Sequence, residues 1–187
     1  MKTIFIAVTG IITALTMLYC PGCRKTDSIV SETSGFKLSS PSIGADSLLP
    51  IDYTCDGVSA TLPIVWSGAP ENTVSFAVIM HHIASPTDIH WYWVLYNIAP
   101  TVTSLPRNVT GIGVLGTNSV NDKTEYTPPC SQGPGIKAYT YTVYALSAYP
   151  VITVSPELVT RQVLLDAIGS ITIASTKMIV YYSRNVK

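Results

Sequence analysis

Short runs of β-branched and aromatic residues, separated by glycine, proline, asparagine and aspartate, fill this chain from residue 36 onward. Because the first group favours strands and the second favours turns, the pattern predicts an all-β domain. In the clearest run, Tyr139, Tyr141 and Val143 alternate with Thr140 and Thr142, which is typical of a sheet with two different faces. Six strands are predicted, over residues 36–39, 62–66, 74–80, 92–98, 138–146 and 171–182.

The two most uniformly apolar runs, 74–80 and 94–98, predict central strands that are buried on both faces. One helix is predicted late in the chain, with Ser155 as its N-cap, Pro156 in its first position and Gly169 at its end. Its apolar side would consist of Leu158, Leu164, Leu165 and Ile168. We therefore expect a β-sandwich with one late α-helix packed on it.

The first 22 residues have the order of an export signal, in which a positive charge precedes an apolar run at residues 4–18. That run is shorter than a typical membrane span. Gly22 and Cys23, followed by a polar stretch, resemble the lipobox of bacterial lipoproteins, so Cys23 is the expected lipidation site. Simple cleavage near residues 20–23 is the alternative. We expect export to the periplasm or cell surface of a bacterium, with membrane contact only through the lipid anchor.

Residues 23–35 are polar and would tether a single domain, residues 36–187, which is long enough for a core of its own. The chain has 11 basic and 11 acidic residues, so its composition does not favour binding of nucleic acid. Cys55 and Cys130 are the two cysteines of this domain. In an exported protein they suit a disulfide, but two separate thiols near a pocket are the alternative, because the sequence does not give their separation.

All three histidines lie in one stretch, residues 81–93, together with two of the tryptophans. This concentration is more typical of a ligand site than of a folding core. His81 and His82 are adjacent, so on a strand they would point to opposite faces of the sheet. His82 and His90 flank the turn expected at Pro86 and could meet across it.

Two other kinds of site can be built from this stretch. A zinc site would need three or four ligands, and His82 and His90 could be joined by Cys130, Asp88 or His81. None of these sets has a recognised metal spacing, so no metal or other cofactor is predicted. A hydrolase would use His82 or His90 as its base, yet the nearby serines lack a nucleophile motif and only Asp88 could orient the base. We therefore expect binding without turnover and keep a hydrolase as an alternative.

Residues 118–132 show no periodicity and predict a loop, and residues 126–139 contain three prolines and two glycines. Such a segment has little conformational freedom, which suits the rim of a pre-formed pocket. Its backbone N–H groups could bind an anion, and Lys137 could add a positive charge. An ordinary rigid loop with a solvated lysine is the alternative.

Five segments carry a resemblance to a known family: YTCDG at 53–57, LPIVWSGAP at 62–70, SFAVIM at 75–80, WYWVLYNI at 91–98, and PC at 129–130 followed by 135–146. In this order they resemble the phosphatidylethanolamine-binding protein family, and especially its bacterial branch described as Raf-kinase-inhibitor-like. The resemblance spans residues 36–184. It implies a Greek-key β-sandwich with a small pocket for phosphate-like anions, including phospholipid head groups, and some members inhibit kinases or proteases.

The chain departs from the family at the pocket itself. Residues 82–86 replace the family's Asp-Pro-Asp-x-Pro turn, so both carboxylates are absent. Tyr92 stands in place of the histidine in a Trp-His strand, and Lys137 and Ala138 replace a His-Arg pair. Because two acids leave and a lysine and a histidine arrive, we expect a more cationic pocket than in relatives. A zwitterionic ethanolamine head group would find no carboxylate partner for its ammonium.

The expected site is a pocket at the rim of the sandwich that holds a small anionic or polar ligand, such as phosphate or a phospholipid head group. Its predicted ligand-binding residues are His82, Pro86, His90, Trp91, Tyr92, Pro129, Cys130, Lys137 and Tyr139. A neutral ligand such as a sugar could instead stack on Trp91 or Trp93. The resemblance also implies a cis peptide bond before Pro86. An inhibitor or interaction module that binds a partner enzyme through the same rim is a further alternative.

Overall fold

A computed structural model describes residues 35–132 and 135–184 of the chain. These residues form two sheets that share one core, with a short α-helix on the outer face of the larger sheet. The all-β sandwich with one late helix predicted from the sequence is confirmed. The signal peptide expected over residues 1–22, the lipidation site at Cys23 and nearly all of the tether 23–35 lie outside the described residues. Within the described ranges, no helix is long and apolar enough to cross a membrane.

The strands, in chain order, are β1 Lys37–Ser39, β2 Ile64–Ser67, β3 Ser75–Ser85, β4 Asp88–Ile98, β5 Ser104–Leu105, β6 Val114–Leu115, β7 Lys137–Leu146 and β8 Thr172–Tyr182. The helical segments are two 3₁₀ turns, Ile51–Tyr53 and Pro156–Leu158, and the helix α1, Arg161–Ile168. All six predicted strands are present. The prediction misses β5 and β6, because a run of two residues carries no readable period.

The order of strands explains where a site can form. The larger sheet runs β6-β4-β3-β7-β8 and the smaller one runs β1-β2-β5. β3 and β4 form a long hairpin whose last pair joins Ser85 and Asp88, and β7 pairs with the other side of β3. Because these ladders are antiparallel, the end of β3 and the beginnings of β4 and β7 lie at the same end of the sheet.

Strand β3 is buried on both of its faces, as its apolar run predicts. On the inner face, Phe76 and Met80 belong to a core that includes Trp66 of the smaller sheet. On the outer face, Ile79 belongs to a second core that includes Leu164 of α1. Burying one side chain of this size stabilises the fold by about 1.5–3 kcal/mol, so β3 holds both outer layers in place.

The helix begins later than predicted. Thr160 and not Ser155 is its N-cap, since the Thr160 hydroxyl oxygen accepts a backbone N–H three residues further on at 3.3 Å. Ser155 precedes the separate 3₁₀ turn Pro156–Leu158 and makes no capping bond there, and Leu158 is 61% exposed. The prediction of the start is wrong because a proline with a preceding serine suits the first turn of a 3₁₀ helix as well as that of an α-helix.

Candidate functional site

A cavity of about 330 Å³ lies where the end of β3 meets the beginnings of β4 and β7. Its lining residues are His82, Ala84, His90, Tyr92, Ser119, Val120, Cys130, Gln132 and Lys137. Five of the nine residues predicted from the sequence are among them: His82, His90, Tyr92, Cys130 and Lys137. The strand topology thus brings together side chains that are up to 55 positions apart in the sequence, from His82 to Lys137.

The two histidines of the cavity face each other across the hairpin. His82 and His90 are direct partners in the β3–β4 ladder, which places their side chains on the same face. His82 Nδ1 lies 2.9 Å from the carbonyl oxygen of Ala138, so this nitrogen carries the proton and Nε2 is the acceptor in the neutral ring. His90 Nε2 lies 3.1 Å from Asp88 Oδ1, and both side chains are well exposed, so this pair adds little stability.

Below the histidines lies Tyr139, whose side chain is fully buried. Its ring centroid is 5.4 Å from that of His82 and 5.4 Å from that of Tyr92. Burial raises the pKa of both tyrosines, so their hydroxyls keep their protons at neutral pH and can donate hydrogen bonds. The hydroxyls of Tyr139 and Tyr92 are close enough for each to act on the pKa of the other. Tyr139 Oη has no further hydrogen-bond partner among the described residues.

Lys137, the first residue of β7, supplies the permanent positive charge of the cavity. Its Nζ donates a hydrogen bond to the carbonyl oxygen of Gln132 at 3.0 Å. None of the lining residues that the structure describes carries a carboxylate. With the histidines neutral, the described lining therefore has a formal charge of +1.

A disulfide closes one side of the cavity. The sulfurs of Cys55 and Cys130 are 2.06 Å apart, so the two cysteines are bonded and are not separate thiols. The bond ties the loop after the 3₁₀ turn Ile51–Tyr53 to the loop that precedes β7. The Cys55 N–H also donates to the carbonyl oxygen of Pro129 at 3.0 Å, which gives the two loops a second connection.

Three polar side chains surround this disulfide. Arg184 Nη2 lies 2.7 Å from Asp56 Oδ1, and the Tyr182 hydroxyl donates to the other carboxylate oxygen of Asp56. Arg184 Nη1 lies 3.7 Å from the sulfur of Cys130. We call this group, Cys55, Asp56, Cys130, Tyr182 and Arg184, the disulfide corner.

Trp91, predicted as a lining residue, lies on the opposite face of the larger sheet. It packs against the outer core, and its indole Nε1 donates to the carbonyl oxygen of Thr117 at 2.8 Å. The reason is a register shift in the β3–β4 ladder between the pairs Met80–Trp93 and His81–Trp91. Such an irregularity lets Tyr92 and Trp93, which are consecutive, both join the inner core.

The predicted prolines and Tyr139 occupy positions around the cavity and do not line it. Pro86 is exposed in the two-residue turn between β3 and β4, and no peptide bond of the described residues is cis. The expected cis bond before Pro86 is therefore wrong: this chain replaces the family's turn with a short hairpin. Pro129 is buried and holds Cys55 through its carbonyl group. Tyr139 lies beneath His82 and Tyr92 as described above.

Sequence reasoning missed the wall formed by Ser119 and Val120. This wall is shaped by Asn118, which is fully buried. Its side-chain oxygen accepts the Val120 N–H at 2.8 Å, and its amide group donates to the carbonyl oxygen of Lys123 at 2.9 Å. An asparagine in an aperiodic segment does signal a side-chain-stabilised turn, but it does not say against which strand the turn packs.

The zinc site considered from the sequence loses Cys130 as a ligand, and the hydrolase keeps one of the contacts that it would require. Cys130 is bonded to another cysteine, and in the described residues no group of three His, Cys, Asp or Glu is placed to hold a metal ion. Asp88 does pair with His90, as a base would require. However, the one serine hydroxyl among the lining residues, that of Ser119, is engaged with the backbone N–H and carbonyl group of Trp91.

The comparisons with known proteins agree with this architecture. A family model described as phosphatidylethanolamine-binding protein matches residues 39–183. A UPF0098 protein of Methanothermobacter thermautotrophicus is 30% identical over 141 residues, which cover 73% of this chain and 91% of that protein. The UPF0098 protein YbcL of Escherichia coli is 42% identical over 55 residues, which cover 29% of this chain and 30% of YbcL.

Two solved structures share the fold. The phosphatidylethanolamine-binding protein homologue CT736 of Chlamydia trachomatis superimposes with a TM-score of 0.72 and 24% identity, over 80% of this chain and 98% of that one. The structure of Escherichia coli YbcL gives a TM-score of 0.71 and 24% identity, over 80% of this chain and 99% of that one. Because the family match also includes every strand around the cavity, the chain belongs to the phosphatidylethanolamine-binding protein family.

Proposed function

We propose that the protein is an exported, lipid-anchored binding protein that holds a small anionic or polar ligand in this cavity and does not convert it. Inorganic phosphate or a phosphate-bearing head group is the ligand that the cavity fits best. One observation carries the proposal: Lys137 and Tyr92 line the same cavity, and none of its described lining residues is acidic.

The available donors suit an anion. Lys137 Nζ gives one hydrogen bond to Gln132 and has two further protons to offer. The Tyr92 hydroxyl stays protonated at neutral pH because burial raises its pKa. Hydrogen bonds to a charged partner contribute about 1.5–3 kcal/mol each, so two or three of them give useful affinity. The volume of about 330 Å³ is at the small end of ligand sites, which fits a phosphate group better than a large organic molecule.

The ammonium of an ethanolamine head group has no matching partner among the described lining residues. The carboxylate of Asp88 is paired with His90 and does not line the cavity. Recognition would therefore rest on the phosphate group alone. We expect phosphorylethanolamine to bind no more tightly than inorganic phosphate.

Export is supported by the order of residues 1–22 and by the disulfide, because disulfides persist mainly in oxidising compartments. A lipid on Cys23 would keep the cavity near a membrane surface, where phosphate-bearing head groups are abundant. The lipid anchor and the cavity would then act on the same surface.

The proposal is tested by ligand-dependent thermal stabilisation. Inorganic phosphate, phosphorylethanolamine and acetate are each added to the mature protein, and the melting temperature is followed. A ligand at about ten times its Kd stabilises the fold by about 1.4 kcal/mol, so the two phosphates should raise the melting temperature by an amount that grows with the logarithm of their concentration above the Kd. The rise should be reduced in Lys137→Ala and in Tyr92→Phe.

Lys177→Ala is the matched control, because Lys177 is an exposed lysine on β8 that does not line the cavity, and its loss changes the net charge equally. An equal reduction in Lys137→Ala and Lys177→Ala would show a general charge effect and would contradict binding in the cavity. Melting temperatures that none of the three compounds changes would contradict the anion itself.

A further inference from the structure

We propose that the Cys55–Cys130 disulfide is a thiol-exchange site, which a dithiol opens by attacking Cys55 and expelling Cys130 as a thiolate held by Arg184. The substrate class is a small or protein-borne dithiol reductant. This inference concerns the disulfide corner and does not depend on which ligand the cavity holds.

The two sulfurs of the disulfide have different surroundings. Arg184 Nη1 is 3.7 Å from the sulfur of Cys130, and a guanidinium at this distance stabilises negative charge on sulfur. Among the described residues, no cationic side chain makes a corresponding contact with the sulfur of Cys55. A thiolate whose negative charge is better stabilised is a better leaving group. We therefore expect the incoming thiol to attack Cys55 and Cys130 to leave.

The corner is both reachable and fixed in place. Cys55 and Cys130 are each partly exposed, and Cys130 also lines the cavity. Asp56 holds Arg184 at 2.7 Å and also accepts the Tyr182 hydroxyl, so the guanidinium is kept beside the sulfur. The hydrogen bond from the Cys55 N–H to Pro129 does not involve sulfur, so it can keep the two loops together after the disulfide opens.

The reaction balances in two steps. The thiolate of the dithiol attacks the Cys55 sulfur, the bond between the protein sulfurs breaks, and Cys130 leaves as a thiolate beside Arg184. The second thiol of the reductant then attacks the reductant sulfur that is bonded to Cys55. This step closes the disulfide of the reductant and releases Cys55. The protein disulfide gains two electrons and two protons overall, and the dithiol becomes a disulfide. Because Cys130 lines the cavity, the opening also changes the cavity wall at this residue.

The direction of attack can be measured with glutathione as a monothiol probe. The mature protein is treated with glutathione, new thiols are trapped with iodoacetamide, and the modified peptides are identified by mass spectrometry. We expect glutathione on Cys55 and the alkyl group on Cys130. In Arg184→Gln, dithiothreitol should reduce the disulfide at least about threefold more slowly, because the leaving sulfur loses its cation. Glutathione should then no longer prefer Cys55 over Cys130 in this variant. Arg184→Lys should keep most of the reduction rate and most of the preference for attack at Cys55.

Arg107→Gln is the matched control, since Arg107 also pairs with a carboxylate, that of Asp52 at 3.1 Å, and makes no contact with sulfur. A purely structural role of Arg184 would act in the opposite sense, because a loosened corner exposes the disulfide and speeds its reduction. Equal labelling of the two cysteines, or a rate in Arg184→Gln that equals or exceeds that of Arg107→Gln, would overturn the proposal.

Discussion

The adjacent residues His81 and His82 show how one position along a strand changes the role of a side chain. His82 lines the cavity, whereas His81 faces the outer side of the sheet, near the guanidinium of Arg161 in α1. Burial lowers the pKa of His81 to about 4, and the positive charges of Arg161 and His82 act in the same direction. His81 is therefore placed to affect stability, whereas His82 belongs to the lining of the cavity.

The stability of the fold should decrease as the pH falls below about 6.5, because of His81. Its pKa is about 6.5 in the unfolded chain and about 4 in the folded one, so the unfolded state binds more protons between these values. The contribution is fully present above pH 6.5 and is lost as the pH falls towards 4. Between pH 7 and pH 5, the free energy of unfolding of His81→Phe should decrease by about 1 kcal/mol less than that of the unaltered protein. This value allows for solvent screening of the partly exposed ring. Urea unfolding at pH 7 and pH 5 measures this difference.

His90→Gln serves as the control for that experiment, since His90 is another histidine of the same hairpin and its side chain is 43% exposed. Its pH dependence should match that of the unaltered protein. If His81→Phe instead loses stability between pH 7 and pH 5 as steeply as His90→Gln does, the buried histidine is not the cause.

At the scale of elements, periodicity located every strand of four or more residues within the described ranges, but it did not set the ends. β3 extends to Ser85 and β4 begins at Asp88, beyond the apolar runs that predicted them. These extensions carry His82 and His90 of the cavity, because the hairpin continues pairing after its core residues end. An apolar pattern reports burial, so it stops where the sheet leaves the core.

The start of α1 gives a test at the same scale. Thr160→Ala should lower the free energy of unfolding by about 1 kcal/mol, because the Thr160 hydroxyl caps the helix at the Val163 N–H. Ser155→Ala should change it by less than about 0.5 kcal/mol, because Ser155 is exposed and makes no capping bond. Chemical denaturation of both variants provides the measurement. A larger loss in Ser155→Ala would restore the helix start expected from the sequence.

At the scale of the whole molecule, the sequence indicates several residues that line the cavity but could not assemble all of it. His82, His90 and Tyr92 can be identified because they stand close together in one unusual stretch, and Lys137 because it ends a segment rich in proline and glycine. Trp91 was included for the same reason, although the register shift in β4 turns it to the other face. The wall at Ser119 was missed, since packing of a distant loop leaves no local pattern.

The disulfide is another feature that the sequence alone could not establish. Cys55 and Cys130 are separated by 75 positions, and only the folded chain sets their distance. Closing a loop of this length restricts the unfolded chain and stabilises the fold by about 2–4 kcal/mol. It also ties the loop that precedes β7 to the rest of the sandwich, which holds the cavity wall at Cys130 in place.

The most direct measurement of the central claim is a crystal structure of the mature protein grown with inorganic phosphate. We predict density for a phosphate ion in the cavity, with oxygens at about 2.7–3.0 Å from Lys137 Nζ and from the Tyr92 hydroxyl. A cavity that contains only water under saturating phosphate, or a phosphate ion bound only elsewhere on the surface, would contradict the assignment of this cavity as an anion site.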